Sequence, residues 1–310
     1  MIIHALPTNL AACGGIKVHY ELCEIERELG HYAVVAFPTT EIPTWFSRNV
    51  GEVLTYEQAR EEGRRRQKQK EDILVIGWED PEILNTFFAE FKTACYIQGD
   101  VFWKGLPFYS KQYLITSSPY IAQKTGNAIH QIIFPYINSS IFYPSLTKKF
   151  EKPYRLLVQG RKGGKEAVEK LQAYLYSAWK DEILIDFLEE DIPELEFAAK
   201  LRESHFLLTH TFPEGLGLPG LEAMASGTIP IGFSGGGGSL YMKDCFNCFC
   251  VNDGQYRQLS FWLVYIAKDM QVSMYESIVQ HGIDTAAFFN KENTAEGIIQ
   301  MLHRFNLEGV

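Results

Sequence analysis

The stretch Phe212-Pro-Glu-Gly-Leu-Gly-Leu-Pro-Gly-Leu-Glu-Ala-Met-Ala-Ser-Gly227 follows a short apolar run at residues 206–209. The apolar run is typical of a buried strand, and Pro219 suits the start of a helix because that position needs no backbone donor. We therefore predict a strand, a glycine-rich junction and a helix over residues 219–226 that ends at Gly227. Such a junction presents backbone N–H groups at the carboxyl end of a parallel strand, which favours binding of an anion.

The alternation of short apolar runs with helical stretches extends over the whole chain. At the N-terminus, a predicted strand at residues 1–7 precedes a helix with Val18 and Leu22 on its apolar face, then Gly30 and a second strand at residues 31–37. Strand, glycine loop, helix and strand form a βαβ unit, from which a parallel sheet follows. Further strands are predicted at residues 73–77, 94–97, 113–116, 131–134, 154–159, 183–186, 228–232 and 249–251.

The length of the chain predicts more than one domain. A chain of 310 residues is longer than a single hydrophobic core usually supports. Between residues 143 and 152 the pattern breaks into prolines and charges, which is typical of a domain boundary. We predict an α/β fold of two Rossmann-like domains, residues 1–147 and 148–310, that face each other across a cleft.

Charge and hydropathy restrict the kinds of molecule and membrane that we expect the protein to bind. The formal net charge is -9 and the pI is near 5.5, which argues against a general surface for nucleic acid or anionic membranes. The run Arg64-Arg-Arg-Gln-Lys-Gln-Lys70 lies among acids in residues 57–72, so we interpret it as a solvated segment with at most peripheral membrane association. The N-terminus has no signal-peptide pattern and no apolar stretch reaches the roughly 20 residues that span a bilayer, so we expect a cytoplasmic protein.

Cysteine usage favours reduced thiols. The chain has six cysteines, and only Cys245-Phe-Asn-Cys-Phe-Cys250 looks clustered. No second cluster or nearby histidine completes a set of four metal ligands, and residues 249–251 have the pattern of a buried strand. We therefore expect free thiols in a reducing compartment.

Two carboxylates, Glu214 and Glu222, flank the junction. We predict Glu222 in the first turn of the helix, where the helix dipole favours a carboxylate by about 0.3–1 kcal/mol. A carboxylate also accepts two hydrogen bonds side by side, which matches the vicinal hydroxyls of a ribose. A phosphate site and a diol site within one helical turn indicate a nucleotide.

Basic residues follow the predicted strand at residues 154–159. The segment Gly160-Arg-Lys-Gly-Gly-Lys165 places Arg161, Lys162 and Lys165 at the carboxyl end of that strand. There they would neutralise a diphosphate, and an exposed hairpin or helix cap is the alternative. A further glycine run at residues 232–239 follows another strand, and close backbone approach to a ligand explains it better than a flexible linker does.

The ordered series of these motifs resembles the retaining glycosyltransferases of family 4, which have the GT-B fold. The shared elements are a strand that ends in Gly160-Arg161 with a lysine shortly after, and two glutamates at E-x7-E spacing, Glu214 and Glu222. Ala223-Met-Ala-Ser-Gly227, an Ile-Pro pair and the glycine run complete the series. The first domain adds a weaker match at Gly14 and Gly15.

The resemblance implies that the second domain binds a nucleotide-sugar donor. Glu222 would then hold the ribose hydroxyls, Arg161 and Lys165 the diphosphate, and Glu214 the transferred sugar. Arg161 and Lys165 would stabilise the charge that develops on the leaving phosphate. The transferred sugar would also contact the backbone of three residues: Leu216, Gly217 and Leu218.

The resemblance also implies a role for the first domain. This domain would bind the acceptor, a saccharide or a lipid-linked molecule, and the backbone of Gly15 would approach the donor phosphate from the opposite wall of the cleft. The family transfers the sugar to an acceptor hydroxyl with retention of configuration and without a metal. The nucleotide sugar is a substrate, and no further cofactor is implied.

Several alternatives stay open. The short spacing between Arg161 and Lys165 leaves Lys162 as a competing diphosphate ligand, and Gln98 or Asp100 stands where many relatives carry a histidine near the sugar. Ser239 replaces the acidic residue expected beyond the glycine run. A sugar-nucleotide epimerase of the same fold and a non-catalytic binder of sugar nucleotides are the competing functions. Cys13-Gly-Gly-Ile-Lys-Val18, which follows the first strand, is not G-x-G-x-x-G, and this disfavours a dinucleotide oxidoreductase.

Overall fold

The computed structural model describes residues 1–7, 14–78, 81–99, 113–125, 129–174 and 182–306. The chain divides into two compact units. Unit 1 comprises Met1–Tyr136 together with Lys291–Val310, and unit 2 comprises Ile137–Asn290. Each unit has its own hydrophobic core of buried strand and helix residues.

The described part of unit 1 contains a seven-stranded sheet in the order β3-β2-β1-β4-β5-β6-β7, and every paired strand is parallel to its neighbour. The strands are β1 (Ile2–Ala5), β2 (Ala33–Phe37), β3 (Val53–Thr55), β4 (Leu74–Trp78), β5 (Lys92–Ile97), β6 (Tyr113–Thr116) and β7 (Gln131–Ile132). The helices between them are α1 (Gly14–Glu28), α2 (Tyr56–Lys68), α3 (Pro81–Phe87) and α4 (Pro119–Lys124).

Local sequence signals account for the ends of several elements. Gly30 follows α1 with φ +90°, the left-handed conformation in which glycine carries no Cβ penalty. Thr55 and Gln58 form a capping box at the start of α2, in which each side chain bonds the backbone N–H of the other residue. These signals confirm the predicted first βαβ unit, whereas the three-residue strand β3 was not predicted.

The described part of unit 2 contains a five-stranded parallel sheet in the order β12-β11-β10-β8-β9. Its strands are β8 (Tyr154–Gln159), β9 (Ile183–Leu188), β10 (Phe206–Thr209), β11 (Ile229–Phe233) and β12 (Phe249–Val251). Its helices are α5 (Gly164–Tyr174), α6 (Glu194–Glu203), α7 (Leu218–Ala225), α8 (Tyr256–Lys268) and α9 (Val272–Ala287). The two parallel sheets, each covered by helices, confirm the predicted α/β class with two Rossmann-like domains.

The last helix, α10 (Lys291–Arg304), packs with unit 1 although it follows unit 2 in the chain. Its Gly297 carbonyl accepts a bond of 2.7 Å from the Gln131 side chain, and the Thr294 hydroxyl donates to the Phe134 carbonyl at 2.8 Å. The predicted division at residues 147 and 148 differs from these units on two points. The first segment of unit 1 ends at Tyr136, and the residues from Lys291 onward belong to unit 1 again.

Polar side chains connect elements within each unit. In unit 2, Lys148 Nζ donates to the carbonyls of Ser204 and Gly227 at 2.8 and 2.6 Å and to the Thr228 hydroxyl at 3.1 Å. The two carbonyls lie just beyond α6 and α7, where the helix dipole favours a cation. Lys148 therefore links the ends of two helices.

In unit 1, three fully buried side chains connect β1 with α1. His4 Nε2 donates to the Glu26 carboxylate at 2.8 Å, and its Nδ1 lies 3.0 Å from Nδ1 of His19. Burial, with a contribution from His4, holds the pKa of His19 well below its ordinary value. The imidazole of His19 is therefore neutral at physiological pH.

The basic run on α2 is largely paired with carboxylates. Arg64 bonds Glu90 at 2.9 Å, Arg65 bonds Glu62 at 2.6 Å, and Arg66 bonds Glu71 at 2.9 Å, an arrangement that agrees with the solvated interpretation. In the part of the chain that the structure describes, no helix has the length and apolar character needed to cross a bilayer.

Candidate functional site

The strand order of unit 2 places a topological switch point at the carboxyl ends of β8 and β10. The chain leaves β8 toward β9 on one side, and the next strand, β10, pairs with β8 on the other side. Ligands of open α/β sheets bind at such a switch point because the loops after the two strands diverge there. The loop after β8 carries the predicted cations, and the loop after β10 carries Glu214.

In the turn after β8, two glycines lie where the chain passes very close to other backbone carbonyls. A Cβ at Gly160 would lie 2.7 Å from the Leu188 carbonyl oxygen, and one at Gly164 would overlap the Gln159 carbonyl. Between them Lys162 adopts φ +52°, a left-handed conformation that is uncommon for a residue other than glycine. The turn therefore combines two closely packed glycines with a lysine in the left-handed conformation.

The three predicted cations have different partners. Lys162 Nζ lies 2.9 Å from the Glu214 carboxylate, so the loops after β8 and β10 meet in an ion pair. Arg161 is 3.7 Å from Asp191, which follows β9. Lys165 is exposed in the first turn of α5 and has no ion-pair partner among residues 182–306 or the other described segments. The structure thus joins Lys162 with Glu214, and it places Arg161 within ion-pair distance of a residue that follows β9.

The glycine run after β11 supports the Glu214 loop. The Glu214 N–H donates to the Gly235 carbonyl at 2.7 Å, and the Gly237 N–H donates to the Glu214 carbonyl at 3.0 Å. A Cβ at Gly237 would overlap the Gly215 carbonyl, and one at Gly235 would lie 2.7 Å from the Glu214 Cβ. The glycines are therefore explained by close approach of the chain to itself, and the predicted approach to a ligand is not needed to account for them.

The junction of β10 and α7 differs in register from the prediction. Gly217 caps the helix with φ +82°, and Leu218 is its first residue, so Glu222 lies beyond the first turn. The predicted placement of Glu222 in the first turn is therefore wrong, because the helix begins at Leu218, one residue earlier than Pro219. Glu222 is 5% exposed, which places a buried carboxylate on the same short helix.

Tyr241 lies under this junction. Its hydroxyl donates to the Gly217 carbonyl at 2.5 Å. The hydroxyl oxygen of Tyr241 also occupies the space that a Cβ at Gly220 would need. Burial raises the pKa of Tyr241 well above its ordinary value, and the carboxylates of Glu214 and Glu222 add to the effect. Tyr241 therefore remains a neutral donor that holds the start of α7.

Unit 1 has a corresponding switch point at the carboxyl ends of β1 and β4. Gly14 begins α1, and a Cβ at Gly15 would lie 3.1 Å from the Trp78 ring and 3.3 Å from the Gln98 side-chain oxygen. The Gln98 amide donates to the Gly15 carbonyl at 3.1 Å. Gly15 and Gln98 are therefore in contact, whereas Asp100 lies outside the described residues.

Sequence reasoning missed two side chains of the site. His210 follows β10 directly and bonds the Arg161 carbonyl at 3.1 Å, and Tyr241 holds the Gly217 carbonyl. A polar residue at the end of a buried strand was a usable signal for His210. No local pattern marks Tyr241, because its partner lies 24 residues away in the chain.

Metal-ligating side chains do not converge among the described residues. No group of three or more His, Cys, Asp or Glu side chains in these segments has the geometry to hold a metal ion. Within the same segments, no disulfide joins the described cysteines, which are Cys23, Cys95, Cys245, Cys248 and Cys250.

Solved structures with the same fold include several glycosyltransferases. A glycosyltransferase from Rickettsia africae is 14% identical, with 97% of each chain covered and a TM-score of 0.71. Sucrose-phosphate synthase from Thermosynechococcus elongatus is 14% identical, with 99% of this chain and 100% of that chain covered and a TM-score of 0.70. Anabaena HepE in complex with UDP and glucose is 14% identical, with 98% and 100% covered and a TM-score of 0.69.

At this level of identity the likeness establishes the GT-B fold. No curated protein gives a significant match to the chain. One family model does match, and it covers the part of unit 2 that contains the turn after β8, the Glu214 loop and the glycine run. Residues 142–261 match the family described as glycosyl transferases group 1.

Proposed function

We propose that the protein is a retaining, metal-independent glycosyltransferase that moves a hexosyl group from a nucleotide-sugar donor to an acceptor hydroxyl. The observation that carries this proposal is the meeting of the loops after β8 and β10 within residues 142–261. There a cation and a carboxylate, Lys162 and Glu214, face each other at 2.9 Å. A nucleotide sugar presents complementary groups, since its diphosphate attracts cations and its sugar hydroxyls donate to carboxylates.

Cleavage of the donor needs stabilisation of the leaving diphosphate. Arg161, Lys162 and Lys165 lie on one loop and the first turn of the following helix, close to the carboxyl end of β8. Positive groups held there gain most when charge develops on the phosphate in the transition state. Arg161 and Lys165 take this role in our proposal, with Lys162 as the competing ligand.

The carboxylates divide the rest of the donor between them. Glu222 accepts hydrogen bonds from the ribose hydroxyls, and Glu214 accepts one from the transferred sugar. The acceptor hydroxyl attacks from the face that the phosphate leaves, which retains the configuration. A phosphate oxygen of the leaving group takes the acceptor proton, so the reaction needs no separate protein base.

The acceptor and the setting complete the proposal. Unit 1 binds a saccharide or lipid-linked acceptor, with any membrane association peripheral, because the arginines of α2 are paired with carboxylates. A role in polysaccharide biosynthesis in the cytoplasm would fit this activity. HepE supports UDP as the first nucleotide to test, because that protein of the same fold was solved with UDP.

Nucleotide binding is the first test. Thermal shift with UDP, GDP, ADP and dTDP should show stabilisation by at least one nucleotide. Glu222→Ala should weaken the binding of that nucleotide by about 1–3 kcal/mol, since a buried carboxylate that accepts hydrogen bonds from the ribose is lost. Failure of every nucleotide to raise the melting temperature of the wild type would refute the proposed function.

Catalysis is tested with the matching nucleotide sugar. Arg161→Ala should slow donor hydrolysis or transfer, whereas Arg155→Ala, which removes a cation from the other end of β8, should leave the rate unchanged. Rates should persist in EDTA, and NMR of the product should show the donor's anomeric configuration. Epimerised donor without transfer indicates the epimerase, and binding without turnover indicates the non-catalytic binder.

A further inference from the structure

His210 is a buried histidine at the candidate diphosphate site that the proposed mechanism does not use. It is 7% exposed and follows the last residue of β10. Its Nε2 lies 3.1 Å from the Arg161 carbonyl oxygen, and its Nδ1 lies 3.4 Å from the Leu208 carbonyl oxygen. Because a carbonyl only accepts and the Nε2 contact is the shorter of the two, we assign the ring N–H to Nε2, where it donates to the Arg161 carbonyl.

This bond connects the ends of two neighbouring strands. The Arg161 carbonyl belongs to the turn after β8, and the next residue, Lys162, has the left-handed φ of +52°. A left-handed conformation is unfavourable for a residue with a Cβ, so contacts outside the turn must hold it. A Cβ at Gly164 would lie 3.4 Å from His210 Cε1, so the imidazole packs against both ends of the turn.

We propose that His210 is a positioning residue for diphosphate recognition: by holding the Arg161 carbonyl, it sets the turn that aims Arg161 and Lys162 at the diphosphate. The inference rests on the proposed function and adds a residue that acts through others. It follows that the effect of His210 is confined to the phosphates of the nucleotide. The base and the ribose bind independently of it.

A purely structural role would affect stability without this selectivity, and His205 provides the matched control. His205 is 6% exposed and precedes the same strand, and its Nε2 donates to the Lys149 carbonyl at 2.8 Å. It lies at the amino end of β10, away from the candidate site at the carboxyl end. Its Nδ1 also accepts from the Arg155 N–H at 2.8 Å. His205→Leu therefore removes a comparable buried histidine and at least as many hydrogen bonds.

The test compares a nucleoside diphosphate with the monophosphate of the same base, with UDP and UMP as the first pair. Calorimetric titration gives the ratio of the two dissociation constants in each variant. His210→Leu should lower the preference for the diphosphate about tenfold. This is the effect expected when one charge-assisted hydrogen bond between a cation of the turn and the phosphate is lost. His210→Gln, whose amide N–H reaches a similar position, should restore most of the preference, and His205→Leu should not change it.

The outcomes separate the inference from the proposed function. An unchanged ratio in His210→Leu, even with weaker binding of both nucleotides, overturns the positioning role. If the leucine variant does not fold, His210→Asn replaces it, because the same amide on a shorter side chain does not reach Arg161. A wild type that binds no nucleotide refutes the proposed function and the inference with it.

Discussion

Gly235→Ala should show how strongly the glycine run supports the Glu214 loop. Gly235 has φ +62°, so alanine there costs about 1–2 kcal/mol in backbone strain. A Cβ would also lie 2.7 Å from both the Thr211 carbonyl oxygen and the Glu214 Cβ. These groups belong to or adjoin the backbone and cannot rotate away, so overpacking adds about 1–3 kcal/mol. The total loss in the free energy of unfolding is about 2–5 kcal/mol.

Gly254→Ala is the matched control in the same unit. Gly254 has φ +79°, and the nearest atom to an added Cβ is a ring carbon of Phe212 at 3.6 Å, an ordinary contact. Only the strain of about 1–2 kcal/mol is expected there. Urea unfolding measures the difference between the variants, and donor hydrolysis should fall in Gly235→Ala alone, since Glu214 is displaced. Equal losses of stability in both variants would refute the steric argument.

Three further predictions concern single side chains. Lys148→Met should lower the free energy of unfolding by about 1–3 kcal/mol in thermal denaturation, because its buried acceptors lose their donor; an unchanged melting temperature would contradict this. Burial lowers the pKa of His19 in the folded protein, so as the pH falls the unfolded chain binds a proton at this residue before the folded chain does. Stability should therefore fall as the pH drops below about 6.5, by up to about 1.4 kcal/mol per pH unit. Melting curves of His19→Asn should lack this component, and identical pH profiles would exclude it. Lys162→Met should change the free energy of unfolding by less than about 1 kcal/mol, because the ion pair of Lys162 with Glu214 is partly exposed. The same variant should bind a nucleoside diphosphate measurably more weakly in calorimetric titration. An affinity equal to that of the wild type would assign the binding of the diphosphate to Lys165.

Strands and helices were predictable where the signal is local. The apolar runs predicted β8 at residues 154–159 and β10 at residues 206–209, and both agree with the structure. Short or polar elements were less accessible. β3 has only three residues, Val53–Thr55, and its pairing with β2 supplies the order that its own sequence does not specify.

The candidate site was predictable in part. Glycines and charged residues after β8 and β10 marked the two loops, because the ends of parallel strands share one edge of a sheet. The pairings of those residues were not predictable. Lys162 meets Glu214 because of a left-handed turn, and the glycine run meets the Glu214 loop because β11 lies beside β10.

The sequence by itself determined the α/β class and the two strand-to-helix junctions of unit 2, because hydrophobic period and turn residues act over a few neighbouring positions. Only the tertiary structure decided which distant residues meet. The return of α10 to unit 1, the bond from His210 to Arg161 and the placement of Tyr241 under Gly217 all depend on strand order and crossover paths. Such contacts form only when the sheet assembles, since each partner has an ordinary local sequence.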